Sequence, residues 1–312
     1  MTPTPAGKPT ASATASNGPG PDGPAPDGPR PNGPRPDGPG PGGSLPYSSP
    51  LPTPRPHLGH ALASEWTKLT SVRSTLWTLG SLVGLVVGVG MLAVIQTASR
   101  DYESLPYPAP ALFGLMVGQL SVMVLGVLTI SSEYGTGLIR TTFTAAPDRL
   151  RVLTAKYLVF GAVAFVTTTC SVGFVGLWAA ILHSGPAAGP HSLGEWAGAL
   201  AGCFYVTLLG LLALAVGALV RHSAGAIAVM LGVVTMPPVL GAILTAWPAT
   251  NGLGLLVLRY NAPVGLFQLF GIPDGSIDGA TMPSSLAQVS LLVLVTAGAV
   301  TASYAVVRRR DV

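Results

Sequence analysis

The sequence predicts an all-α integral membrane protein with six transmembrane helices, and three observations lead to this fold class. Hydrophobic residues make up 49% of the 312 residues and charged residues only 9%, against roughly 25% charged residues in soluble domains. Six long apolar runs follow one another from residue 75 onward. Basic residues gather in alternate connections between these runs, a pattern typical of membrane proteins with one fixed orientation.

Residues 1–56 form a Pro- and Gly-rich arm before the apolar runs. They hold more than half of the 30 prolines, and Pro21 to Gly40 repeat with a period of five residues. Proline removes backbone donors and this composition cannot bury a core, so we expect a disordered arm. It serves as a linker or, alternatively, docks a partner. Because the first apolar run follows this long polar arm, we expect the first helix to direct insertion without a secretory signal.

Each of the six apolar runs is long enough to cross a bilayer as a helix. A hydrocarbon core of about 30 Å needs about 20 helical residues, and lipid offers no partner to the backbone of an open strand. The predicted spans are residues 75–98, 111–132, 157–182, 197–220, 224–247 and 286–307. None of them contains Asp, Glu, Lys, Arg or His. This disfavours a proton-driven carrier, although sodium sites made of carbonyls and hydroxyls remain an alternative.

The distribution of Lys and Arg predicts that both termini are cytoplasmic. In this orientation 11 basic residues lie in cytoplasmic segments, Arg100 and Arg259 lie outside, and the other three belong to the arm. Such an asymmetry follows the positive-inside rule.

A stretch at residues 250–271 is apolar but carries Arg259, Asn261 and Pro263 near its middle. A seventh span here would also move the basic residues 308–310 to the outside. We therefore expect a re-entrant or interfacial helical element in an external loop at residues 248–285.

Two polar segments stand out on the predicted cytoplasmic side. The first, HALASEWTKLTSVRSTLW, has apolar residues at helical spacing and predicts an interfacial helix at about residues 60–74. Glu65 and Arg73 project near its apolar stripe and need to pair or to reach water. The second is a basic loop at about residues 133–156, broken by Gly135, Gly137 and Pro147. It provides topogenic charge or, alternatively, a surface that docks a soluble partner.

Several function classes lack their sequence signatures. There is no Gly-rich phosphate-binding loop with a following Lys and Ser or Thr, so any use of ATP has to come from a partner. The two cysteines lie in apolar stretches, and the histidines lack metal-ligand spacing. The basic residues form no patch with interleaved aromatics, which argues against nucleic acid. We expect no catalytic, cofactor-binding or metal-binding residues in this chain.

At the two polar segments the sequence resembles permeases of the type-2 ABC exporter family. SEWTKL with SVRST resembles the actinobacterial form of the interfacial helix that precedes the first span in that family. EYGTGLIRTT, with Pro147, Arg149, Arg151 and Lys156 after it, is similar to the loop between its second and third spans. The resemblance extends from Leu62 to about Lys156, and beyond that only the six-span layout agrees.

The resemblance implies a permease subunit of an exporter in the bacterial plasma membrane. It implies two partners, a cytosolic ABC ATPase subunit that binds the ATP and a second permease subunit, identical or different. The cargo would be a drug, a peptide, an antibiotic or a lipid-linked molecule. The implied partner-coupling residues are Glu65, Trp66, Lys68, Glu133, Gly137, Arg140, Thr141, Arg149 and Arg151. Two alternatives remain, a membrane scaffold that transports nothing and an ion-coupled secondary carrier.

Overall fold

The computed structural model describes residues 57–97, 105–137, 149–183, 192–272 and 284–309. The predicted arm of residues 1–56 lies outside these ranges. Within them the regular secondary structure consists of nine helices and no strand. The helices are α1 (Leu58–Ser71), α2 (Arg73–Thr97), α3 (Ala109–Thr136), α4 (Arg149–Leu182), α5 (Leu193–Val220), α6 (Ser223–Thr245), α7 (Asn251–Arg259), α8 (Ala262–Leu269) and α9 (Ser285–Arg309).

Six of these helices, namely α2, α3, α4, α5, α6 and α9, are long and apolar enough to cross a membrane. The prediction of an all-α chain with six candidate spans is therefore confirmed for the described residues, and the chain has the helices of a multi-pass membrane protein.

Helices α3 and α4 extend further than the apolar runs suggested. The sequence predicted a loop at residues 133–156, but α3 continues to Thr136 and α4 begins at Arg149. Gly135 therefore lies inside a helix, and it is Gly137 that ends α3, in the left-handed conformation with φ 72°. Glycine takes this conformation without steric cost, which is why helices often end at this residue. Glu133 and Lys156 are consequently helical.

Helices α3 and α5 form the centre of the bundle. In the most apolar stretch of α5 72% of the residues are buried, whereas the value is 17% in both α6 and α9. Small residues allow the central crossings to be close. A Cβ at Gly126 would meet the backbone of α5, and one at Gly114 would meet the backbone of α2. By contrast, the Gly80, Gly84 and Gly88 stripe of α2 faces open space in this structure.

The bundle has two distinct ends. The first carries α1, the C-terminal ends of α3, α5 and α9 and the N-terminal ends of α4 and α6; we call it the basic end. The second carries α7 and α8, and we call it the α7–α8 end. At about 20 residues per span, α7 and α8 with 9 and 8 residues are too short to cross a membrane. The stretch that suggested a seventh span thus forms two short helices.

Candidate functional site

Four charged side chains from three helices form a closed ring of ion pairs at the basic end. This charge ring consists of Glu65 and Lys68 on α1, Glu133 on α3 and Lys156 on α4. Lys156 Nζ lies 2.6 Å from Glu65 Oε2 and 2.9 Å from Glu133 Oε1. Lys68 Nζ lies 2.7 Å from Glu65 Oε1 and 3.1 Å from Glu133 Oε1. Each lysine therefore contacts both carboxylates, and the formal charges of the ring sum to zero.

The charge ring is buried on one side and partly open on the other. The side chains of Glu65 and Lys156 are each 3% exposed and that of Glu133 is 10% exposed, whereas Lys68 is 37% exposed. Lys156 Nζ also lies 3.4 Å from the backbone oxygen of Thr129, so all three of its donors have acceptors. Buried charges are tolerated only when they are paired in this way. The pairing required for Glu65 is thus supplied by Lys68 and Lys156.

The local sequence explains how the ring is assembled. Glu65 and Leu69 are the buried residues of α1 and lie four positions apart, on one face of the helix. The neighbouring Trp66 points away from the bundle and is 53% exposed. Val72 is extended and separates α1 from α2, which lets α1 leave the axis of α2 and pack against α4. The ring therefore ties α1 to the facing ends of α3 and α4.

A cavity of about 300 Å³ lies beside the charge ring, between α1, α2, α3 and α4. All four ring residues line one part of it, and Leu69, Leu125 and Leu128 contribute apolar wall elsewhere. The ring therefore borders a space that side chains do not fill.

Further polar contacts connect α3 and α4 to the remaining helices of the basic end. The Tyr157 and Ser303 hydroxyls lie 2.9 Å apart, and the Thr154 and Tyr304 hydroxyls lie 2.8 Å apart, which joins α4 to α9. Next to Glu133, Tyr134 is covered by the guanidinium of Arg221, 5.0 Å from the ring centroid.

Arg221 also ends α5 in the left-handed conformation, with φ 57°. This conformation is uncommon for a side chain other than glycine, so tertiary contacts have to hold it in place. The stacking on Tyr134 is one such contact.

The structure brings together three of the residues that the resemblance singled out, namely Glu65, Lys68 and Glu133. Trp66 lies on the outer face of α1, and Gly137 ends α3. Arg149 and Arg151 lie in the first turn of α4, half-buried. Arg140 and Thr141 lie outside the described residues.

The sequence predicted Lys156 only as a basic residue of the loop at residues 133–156, yet in the structure it pairs with both carboxylates. One signal was present. Lys156 immediately precedes an apolar run, so a helix that begins several residues earlier carries it into the bundle, where it needs an acidic partner. The partner Glu65 is 91 positions away in sequence, which no periodicity reveals.

The charge ring can transmit force or fix helix positions, because it joins three helices by short charged contacts. Among the described residues no group of three or more His, Cys, Asp and Glu is placed to hold a metal ion. In comparisons with known proteins, no family model and no curated protein matches the sequence.

Proposed function

We propose that this chain is the membrane-spanning permease subunit of an ATP-binding-cassette exporter, driven by separate cytosolic ATPase subunits. The observation that carries the proposal is the charge ring. It ties the interfacial helix α1 to α3 and α4, the two helices that flank the segment at residues 138–148, which carries Arg140. In this proposal the segment docks the ATPase, and the ring passes its displacement to α1 and to the bundle.

The orientation in this proposal follows from charge. The basic end faces the cytoplasm, as the positive-inside rule implies for Lys68, Lys156 and Arg308. An ATPase that binds two states of the permease unequally shifts their populations, which is how ATP turnover drives alternation. The cargo is an apolar or amphipathic molecule, because the middles of the six long helices carry no charged side chain.

Affinity capture of the tagged full-length chain in mild detergent tests the proposal. Wild type is compared with Arg140→Glu, in the proposed docking segment, and with Arg309→Glu, an exposed charge reversal at the end of α9. Bound proteins are identified by mass spectrometry. We expect a cytosolic ABC ATPase with wild type and with Arg309→Glu. Arg140→Glu should retain about tenfold less, the effect of losing about 1.4 kcal/mol of binding energy.

Size-exclusion chromatography and thermal unfolding establish that each variant is folded. Folded wild type that captures no ATPase contradicts the proposal. Equal capture by both charge reversals contradicts the docking role of residues 138–148.

An ion-coupled carrier is the second candidate, because Glu133 and Lys156 are buried ionisable residues within candidate spans. However, Glu133 lies in the last turn of α3, and Lys156 is the eighth residue of α4, about 10 Å from its start. Coupling ions in carriers bind near the bilayer midplane. Transport that persists with ATP hydrolysis blocked and the membrane potential intact would favour the carrier. Capture of proteins other than an ATPase would favour the membrane scaffold.

A further inference from the structure

A second cavity lies at the α7–α8 end, between α5, α6, α8 and α9. Its volume is about 220 Å³. A groove of about 650 Å³ between α6, α7 and α9 shares Pro237, Tyr260 and Leu291 with its wall. Leu256 and Leu294, which line the groove, are 56% and 70% exposed. The cavity therefore continues into a groove on the outer surface of α6 and α9.

Two polar atoms on side chains that line this cavity make no hydrogen bond with the described residues, namely the Tyr205 hydroxyl and Gln288 Oε1. Tyr205 is 4% exposed and Gln288 is 3% exposed. The other end of the Gln288 amide is bound, because its Nε2 donates to the backbone oxygen of Arg259 at 2.6 Å and lies 3.4 Å from Gln268 Oε1.

These two groups converge beside Gly265. A Cβ at Gly265 would lie 3.0 Å from Gln288 Oε1 and 3.3 Å from the Tyr205 hydroxyl. Both side chains line the cavity, so the hydrogen-bonding capacity of these two atoms is available to a ligand there. A ligand hydroxyl that donates to Gln288 Oε1 and accepts from the Tyr205 hydroxyl uses both.

Another polar side chain of the lining, that of Asn261, is already satisfied. Its Nδ2 donates to the backbone oxygen of Leu258, and its Oδ1 accepts from the N–H of Val264. The Tyr205 hydroxyl and Gln288 Oε1 are therefore the groups that remain for a ligand.

The lining also defines the charge of a ligand. Among the described residues, no Asp, Glu, Lys, Arg or His lines either the cavity or the groove. A charged head group would lose its hydration without gaining a counter-ion, which is strongly unfavourable. A neutral hydroxyl both donates and accepts, so it fits the Tyr205 hydroxyl together with an acceptor.

We propose that this cavity binds the uncharged hydroxyl head of a long-chain amphiphile, whose apolar chain lies in the groove between α6 and α9. The hydroxyl accepts from Tyr205 and donates to Gln288 Oε1. The ligand reaches the cavity from the bilayer, through the mouth at Tyr260 and Leu291. This proposal rests on the cavity alone and does not depend on an ATPase partner.

Photolabelling of the full-length protein in nanodiscs tests this site. The probe is a long-chain alcohol that carries a diazirine in its chain, and the matched carboxylic acid and trimethylammonium compounds serve as charged analogues. Labelled peptides are identified by mass spectrometry. We expect the alcohol to label peptides of α6, α7 and α9, with labelling abolished by excess unlabelled alcohol. The charged analogues should label these peptides at least about tenfold less, because of the cost of desolvating their charge.

Three variants make the test specific. Tyr205→Phe removes a hydroxyl that no protein group uses, and it should weaken binding of the alcohol about fivefold, the effect of one hydrogen bond of about 1 kcal/mol. Leu291→Trp fills the mouth and should abolish labelling. Leu286→Trp is the matched control, since Leu286 is on the same helix, is 79% exposed and lies outside both linings; it should label like wild type.

Labelling that is unchanged in both Tyr205→Phe and Leu291→Trp overturns the proposal, as does equal labelling by the charged analogues. Native mass spectrometry then identifies the source of the ligand. A neutral lipid that co-purifies with wild type but not with Leu291→Trp is a resident lipid. Labelling without such a lipid indicates an amphiphile that exchanges with the bilayer. Both results support the site.

Discussion

The charge ring and the cavity at the α7–α8 end use their polar groups in opposite ways. In the charge ring the buried groups are charged, and Glu65 and Glu133 both pair with Lys156. In the cavity the lining is neutral, and the Tyr205 hydroxyl and Gln288 Oε1 make no hydrogen bond with the described residues. The first arrangement fixes helices relative to one another. The second leaves hydrogen-bonding capacity for a ligand.

The comparison implies very different consequences when a single polar group is removed. Removing one member of a buried ion-pair network leaves an uncompensated charge on its partner. Removing an unpartnered hydroxyl leaves no other group without a hydrogen bond.

The largest effect is expected for Lys156→Met. The substitution keeps the apolar stem but leaves Glu65 and Glu133 with only the half-exposed Lys68, and removing one partner of a buried pair costs about 3–5 kcal/mol. Thermal unfolding in detergent should show a large decrease in Tm. Tyr205→Phe is the matched comparison at the other end and should unfold within a few degrees of wild type. Equal decreases in Tm for Lys156→Met and Tyr205→Phe would contradict the claim that only the charge ring contributes strongly to stability.

A smaller, pH-dependent effect is expected for Lys68→Met. Burial lowers the pKa of Lys68, but the hydrogen bond to Glu65 and the charges of Glu133 and Glu65 outweigh it, so the pKa lies above its ordinary value of 10.5. Because the pKa of Lys68 is higher in the folded protein than in the unfolded chain, Lys68 contributes its full stabilisation at pH values below its pKa in the unfolded chain. This contribution is lost as the pH rises through the folded-state pKa.

The measurement is the difference in Tm between wild type and Lys68→Met from about pH 8 to about pH 12. The difference should be constant up to about pH 10 and should then decrease. A difference that grows with pH would show that Lys68 is not held as a cation by the two carboxylates.

The sequence predicted the layout of the bundle better than its polar sites. Six apolar runs indicate six spans because lipid requires long unbroken helices, and the structure has them. The ends of α3 and α4 were wrong, because Gly135 and the cluster of basic residues resemble a loop. A single helical glycine costs only about 1 kcal/mol, which is too little to end α3 at Gly135.

The two polar sites depend on contacts between distant segments. The position of Glu65 near an apolar stripe predicts that it needs a charged partner. The sequence does not predict that this partner is Lys156. The cavity was also unpredictable, because Tyr205 and Gln288 look like isolated polar residues in apolar spans. Only their convergence beside Gly265 makes them a site.

The central claim is that the charge ring makes α1 and the ends of α3 and α4 one rigid unit, which an ATPase displaces. Spin-label distances in the captured complex test it most directly, with and without ATP and vanadate. One pair, Trp66→Cys and Thr136→Cys, lies across the ring; the other, Thr136→Cys and Ala224→Cys, joins α3 to the sparsely buried α6. The exposed Cys170 is replaced by Ser, while Cys203 is buried. We predict an unchanged first distance and a changed second distance. A nucleotide-dependent change in the first distance, or none in either, would contradict the account.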